Sequence, residues 1–297
     1  MTWDTICFDI FTIGFDLFEN NYKMSAQQPK DEMSFLDHLE ELRWHLIRSV
    51  IAILIVAIVA FIFKDFIFDV LLFGPKQKDF ITYRWFCSIS QTLGQGNSFC
   101  IDELPFRIQS RTMAGQFSAH LWTSILAGFI LAFPYIIFEF WKFISPGLYE
   151  KERKNARGFI FIASMLFFIG VLFGYYIVTP LSINFLGNYS VSSEIFNDFD
   201  LSSYIGLLRA SVLAAGIIFE LPIIVYFLTK VGIITPDFLR KNRKISLVVV
   251  LSLSAIITPP DIASQIIVSI PILVLYEVSI LISRIVTSRQ NEVLKNK

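Results

Sequence analysis

The sequence has no excess of either charge: 25 Lys and Arg stand against 25 Asp and Glu in 297 residues. A nucleic-acid partner gathered by bulk positive charge therefore has no support. Cysteine is scarce, with three in the chain and neither a CxxC motif nor a Cys/His zinc spacing. The three histidines, His38, His45 and His120, form no HExxH pair, and no glycine-rich phosphate loop, internal repeat or low-complexity stretch occurs. Nothing here implies a metal or other cofactor. Apolar residues, by contrast, are abundant: 55% hydrophobic, 15% aromatic, 31 Phe, with a mean hydropathy of +0.62. Most of this surface must face something other than water.

A helix needs about 20 apolar residues to cross a hydrocarbon core of roughly 30 Å. Residues 46–63, LIRSVIAILIVAIVAFIF, carry only Arg48, placed near an end where it can snorkel. Residues 121–138 carry no charge, and from Gly158 to Ser193 there are 36 uncharged residues, in which Thr179-Pro180 is expected to end the helix. Residues 210–229 carry only Glu220. The segments 245–258 and 262–283 flank TPPD, where two prolines break the helix and Asp261 can cap the next one. The expected fold is an all-α membrane protein of six transmembrane helices. Residues 245–258 number fourteen, about 21 Å of helix, so the last two helices are expected to be short.

Lys and Arg concentrate in loops 142–157 and 230–244, whereas loops 181–202 and 259–264 have none. The positive-inside rule then puts both termini in the cytoplasm. The loop over 64–117 lies on the opposite, oxidising side under that topology, and a disulfide between its Cys87 and Cys100 is plausible, with Gly94, Gln95, Gly96 and Asn97 as the turn. Residues 1–23 lack a basic start and are interrupted by Asp4, Asp9, Asp16 and Glu19, so they are no signal peptide. Residues 1–33 read as a dispensable extension, 34–286 as the membrane domain and 287–297 as a cytoplasmic tail.

The charged and proline-bearing stretches at the membrane boundaries remain to carry function. FLDHLEELRWHL before the first span reads as an amphipathic interfacial helix, with Asp37, His38, Glu41 and His45 on its polar face. WKFISPGLYEKERK, between the second and third spans, turns at Pro146-Gly147 and sets Glu150 and Glu152 among bases. Glu220 sits mid-span, two positions before Pro222, which frees the Ile218 carbonyl. Each stretch alone also fits a plain reading: interface anchor, topogenic loop, acid bonded to a neighbouring helix. Glu139 and Glu277 fall in apolar surroundings as well, Glu139 close enough to an end to reach water.

FLDHLEELRWHL, FISPGLYEKERK, FELP, FLRKNRK and TPPDIASQ, taken in order, resemble the TatC subunit of the twin-arginine protein translocase over about residues 34–286. The resemblance implies a cup-shaped bundle in the inner membrane of a bacterium. It also implies a multimeric complex that binds twin-arginine signal peptides with TatB, recruits TatA, and moves folded proteins on the proton-motive force. By motif, the signal-peptide site is Glu41, Arg43, Phe143, Pro146 and Glu152. Glu220 matches the family's intramembrane glutamate, Pro75 the proline after the first span, and Asp261 the acid of TPPD. His45 stands where the family commonly has a second base, and loop 64–117 is longer than in compact members. Chemically, two adjacent arginines present planar donor forks that carboxylates such as Glu41 and Glu152 can engage in pairs.

A proton-coupled small-solute transporter using Glu220 is the alternative reading. Against it, the hydropathy shows no repeated halves, and several spans lack polar residues for a solute site. An intramembrane protease lacks its Ser/His or paired-Asp set. The chain therefore reads as a translocase component and not an enzyme.

Overall fold

The computed structural model describes residues 35–92, 100, 104–144, 156–192, 194–258 and 261–295. The chain divides into a unit ending at His45 and a unit running from Leu46 to Lys297. Among the described residues the architecture is almost wholly helical, as lipid demands of a backbone that must satisfy its own polar groups. Helix α1 covers Phe35–Ile62 with neither glycine nor proline in its 28 residues. A π-helical segment, Phe66–Leu72, and a 3-10 turn, Gly74–Lys76, then lead to α2, Ile81–Thr92. Strand β1, Arg107–Gln109, precedes α3, Gly115–Ile144, which holds Pro134 without breaking.

Helix α4, Ala156–Phe173, continues through a π-helical segment, Gly174–Val178, into α5, Thr179–Asn188. The helix does not end at Thr179-Pro180, contrary to the sequence expectation. The wide π turn absorbs the missing proline N–H, the Thr179 hydroxyl donates to Gly174 O at 2.8 Å, and Thr82 Oγ1 donates to Tyr176 O. Strand β2, Asp198–Asp200, pairs parallel with β1 in the register Arg107↔Asp198, Ile108↔Phe199, Gln109↔Asp200. Asp200 also caps α6, Leu201–Phe219, accepting from the Ser202 backbone N–H at 3.1 Å. After α6 come α7, Leu221–Lys230, and α8, Pro236–Lys241. Then follow α9, Arg243–Ile257, and α10, Ile262–Lys295.

Five helical stretches among the described residues are long and apolar enough to cross a membrane: Leu39–Ile62, Gly115–Ile144, Gly158–Asn188, Leu201–Lys230 and Ser264–Gln290. At 15 residues, α9 is the short one, about 22 Å of helix against roughly 30 Å of hydrocarbon. The expectation that both last helices are short is corrected for α10, whose 34 residues exceed every other described helix. It runs on because Pro271 is accommodated inside it and the polar sequence after Ile285 keeps helical hydrogen bonding through Lys295. The expected tail boundary at 287 therefore falls inside a helix.

Close approach between helices is made by glycine. A Cβ at Gly128 of α3 would stand 2.6 Å from Ile53 O of α1, and one at Gly170 of α4 would stand 2.7 Å from Ala215 O of α6. Around these contacts the core gathers Leu72, Phe106, Ile205, Leu208 and Val212. Cys87 and Cys100 are joined by a disulfide that closes a ring with a sequence separation of 13. The chain-entropy account assigns such a ring roughly 3 kcal/mol. The four residues expected to form its turn, 94–97, lie outside the described residues.

Candidate functional site

In the first unit, Glu41 and His45 are one helical turn apart, with His45 Nε2 and Glu41 Oε1 at 4.0 Å. His45 was expected on a water-facing polar face, but it is buried, whereas Leu39 and Leu46 of the apolar stripe are exposed. Leu42 and Ile47 of the same stripe are half-buried, so the open side of this helix carries Leu39, Arg43 and Leu46 together. Glu41 Oε2 is buried and has no hydrogen-bond partner among the described residues, while Arg43 is exposed. A carboxylate oxygen left in this condition is a vacant acceptor for a cationic donor. The side chains of Asp37 and His38 lie outside the described residues, as do Pro146, Glu150 and Glu152. The structure therefore places Glu41, Arg43 and Phe143 but not the remainder of the expected constellation.

In the second unit, Phe143 is half-buried in the last turn of α3, one turn beyond Glu139. Glu139 does not reach water as the sequence suggested: it is 1% exposed. Arg48 of α1 meets it at 4.0 Å and Lys142 at 3.6 Å, and Tyr135 hydrogen-bonds to it. Arg48, expected to snorkel alone, is thus the counter-charge of an acid on the neighbouring antiparallel helix. The helix end is further fixed by aromatic packing. Trp141 lies 4.6 Å from Phe159 of α4, centroid to centroid, and 6.1 Å from Phe227 of α7. Sequence reasoning noted Glu139 but missed its role. The available signal was an acid and a base at matched depth in successive spans.

Glu220 occupies the break between α6 and α7. Pro222 supplies no N–H to Ile218 O, the Glu220 N–H donates to Ile217 O at 3.1 Å, and the N–H groups of Ile223 and Ile224 both donate to Glu220 O at 3.0 Å. The side chain is 8% exposed, and its Oε1 is buried without a partner among the described residues. An intramembrane acid in that state is costly and awaits a donor. A lower polar link, Thr229 Oγ1 to Ser283 Oγ at 2.9 Å, ties α7 to α10.

Two of the motif positions are structural. Pro75 is buried in the 3-10 turn, and its carbonyl accepts from Tyr83 OH at 2.9 Å. Asp261 caps α10, accepting from Ser264 N–H at 2.9 Å and Ser264 Oγ at 2.6 Å, while Gln265 Nε2 reaches back to Leu251 O of α9 at 3.0 Å. Among the described residues no group of His, Cys, Asp and Glu is arranged to hold a metal ion.

Apolar crossing helices with acids held at a helix end and at a mid-span break define a multi-pass membrane protein. The family model for Sec-independent protein translocase protein (TatC) matches residues 37–271. The chain is 47% identical over 262 residues to the TatC protein of Blattabacterium sp. subsp. Periplaneta americana, covering 88% of this chain and 98% of that protein. It is 34% identical over 264 residues to TatC of Aquifex aeolicus, covering 89% and 100% respectively. The crystal structure of a twin arginine translocase receptor, TatC, superposes with a TM-score of 0.63 at 33% identity, covering 84% of this chain and 99% of that one. The chain belongs to the TatC family, a protein translocase component and not a catalytic enzyme family.

Proposed function

We propose that this chain is the signal-peptide receptor of a twin-arginine translocation complex. It binds the two arginines of a cargo signal peptide at Glu41, Arg43, Phe143, Pro146 and Glu152, acts with TatB, and recruits TatA so that folded proteins cross on the proton-motive force. The observation that carries this reading is the buried, partnerless Glu41 Oε2 inside the FLDHLEELRWHL motif of a TatC family member. A guanidinium fork supplies the donors that this oxygen lacks.

In this reading α9 is the sixth crossing element, made short, and the helices form a cup in the inner membrane of a bacterium with both termini in the cytoplasm. The disulfide Cys87–Cys100 then lies on the oxidising side, which suits its persistence. Residues 1–33 are dispensable to this role. Glu220 meets a polar group of a partner's transmembrane helix, which gives its buried oxygen a donor.

The test is binding of a twin-arginine peptide and its twin-lysine counterpart to the receptor complex, with Glu41→Gln and Glu152→Gln variants. The arginine peptide is expected to weaken by about 1 kcal/mol, roughly fivefold, for each variant, with the lysine peptide little changed. Equal loss for both peptides would reduce the site to general electrostatics and remove the fork argument.

A further inference from the structure

Helix α2 belongs to none of the motifs that place the chain in its family, yet it is held with care. Its Tyr83 hydroxyl donates to Pro75 O at 2.9 Å and is 3.3 Å from Pro180 O, and Thr82 Oγ1 donates to Tyr176 O. Phe80, just before it, stacks on Tyr176 with centroids 5.7 Å apart. Together these contacts dock α2 on residues 176–180 of the stretch Gly158–Asn188. That point is 18 to 22 residues along the stretch, about 27–33 Å, where a roughly 30 Å hydrocarbon core ends. The helix therefore sits at the height of a membrane–water boundary.

The faces of α2 divide three ways. At about 100° per residue, Thr82, Tyr83 and Ser90 share the flank against the chain, and all three are buried. Next to them, Ile81, Trp85 and Ile89 fall within an arc of about 80°, which also holds the exposed Thr92, its hydroxyl donating back to Ser88 O and Ile89 O at 2.9 Å. The three apolar residues are 40%, 66% and 51% exposed. Arg84 and Gln91, both exposed, occupy the opposite flank together with the disulfide-bonded Cys87. One flank is covered by protein, one is apolar and open, and one is polar.

We propose that α2 is an interfacial anchor whose Ile81–Trp85–Ile89 stripe lies in the outermost hydrocarbon of the bilayer, with Arg84 at the phosphate level. The occupant of the stripe is lipid. Its docking height puts it beside acyl chains, tryptophan prefers this depth, and the adjoining arginine complements the phosphates. The disulfide ties the middle of the helix, at Cys87, to Cys100, while the Tyr83 and Thr82 bonds hold its first turn. This role does not rest on the signal-peptide reading.

The test compares tryptophan emission of the full chain and its Trp85→Phe variant in phosphatidylcholine vesicles, the difference being the Trp85 signal. That signal is expected to be blue-shifted, to lose most of its intensity when the acyl chains are brominated near their headgroup end, and to resist aqueous iodide. In an Ile81→Ser/Ile89→Ser double variant the blue shift should fall. A Trp85 signal quenched by iodide, or quenched by neither agent because another polypeptide covers it, overturns the proposal.

Discussion

Two sets of ion pairs show why distance alone does not rank them. Arg243 Nη2 and Glu277 Oε2 are only 2.7 Å apart, yet both side chains are about half exposed, so the pair contributes about 1 kcal/mol or less. Glu139 is farther from Arg48 and Lys142, but its own side chain is only 2% exposed, so losing its charge strands two cations at a buried site. Discounted for the partial exposure of those cations, Glu139→Gln is expected to destabilise the protein by roughly 1–2 kcal/mol, read by thermal unfolding in detergent. The penalty should shrink when Arg48→Gln is combined with it. Asp200 offers a pH dependence. The Ser202 hydroxyl bond, then the Arg111 backbone bond, hold its carboxyl below the usual range. A carboxyl depressed in the folded state adds stability that is complete above its unfolded value near 4 and is lost as pH falls through the lower, folded value. Asp200→Asn is expected to flatten that acid limb in pH-dependent unfolding, while neutral-pH unfolding changes only by the lost cap.

Among elements, the crossing of α4 and α6 depends on small residues. Gly170 faces Ala215 O, and Gly174 of the π segment faces Ser211 O, where an added Cβ would be 2.8 Å away. Backbones this close exchange dispersion contacts that larger side chains would prevent. Gly170→Ala is expected to cost about 1–3 kcal/mol through overpacking, measured by unfolding in detergent. Gly158→Ala is the matched control, since nothing lies within 4 Å of a Cβ there. The π segment also explains the uninterrupted passage through Pro180. Its wide turn and the outside donor from Thr82 together do what a regular helix cannot.

For the whole molecule the most consequential residue is Glu220, set at the only interruption inside the stretch Leu201–Lys230. Its buried oxygen has no donor within the described chain, so Glu220→Ala is expected to relieve a local cost and leave the fold intact. Under the proposed function it should abolish or strongly impair cargo transport while twin-arginine peptide binding survives. Transport assays on membrane vesicles paired with peptide binding check this. Full transport by the variant would leave Glu220 as a feature without function.

Membrane embedding, helical class and the breaks at Pro222 and before Asp261 were legible in the chain itself. Apolar run lengths are set by bilayer thickness, Pro222 removes an N–H wherever it stands, and Asp261 needs only its own next turn to cap α10. Family membership was legible too, because five short motifs in fixed order survive in one dimension. The pairing of Glu139 with Arg48 was decided only in three dimensions, since both partners look solitary until antiparallel helices bring them to one depth. The passage of the helix through Pro180 and the length of α10 were tertiary outcomes as well. Local rules weigh a proline by the bond it removes, whereas the folded chain supplies a π turn, a Thr82 hydroxyl that donates to Tyr176 O from 94 residues away and a Tyr83 hydroxyl that reaches Pro180 O from 97 residues away. Whether a buried polar atom is satisfied depends on which neighbour arrives beside it, and that is fixed by packing and not by the order of the residues.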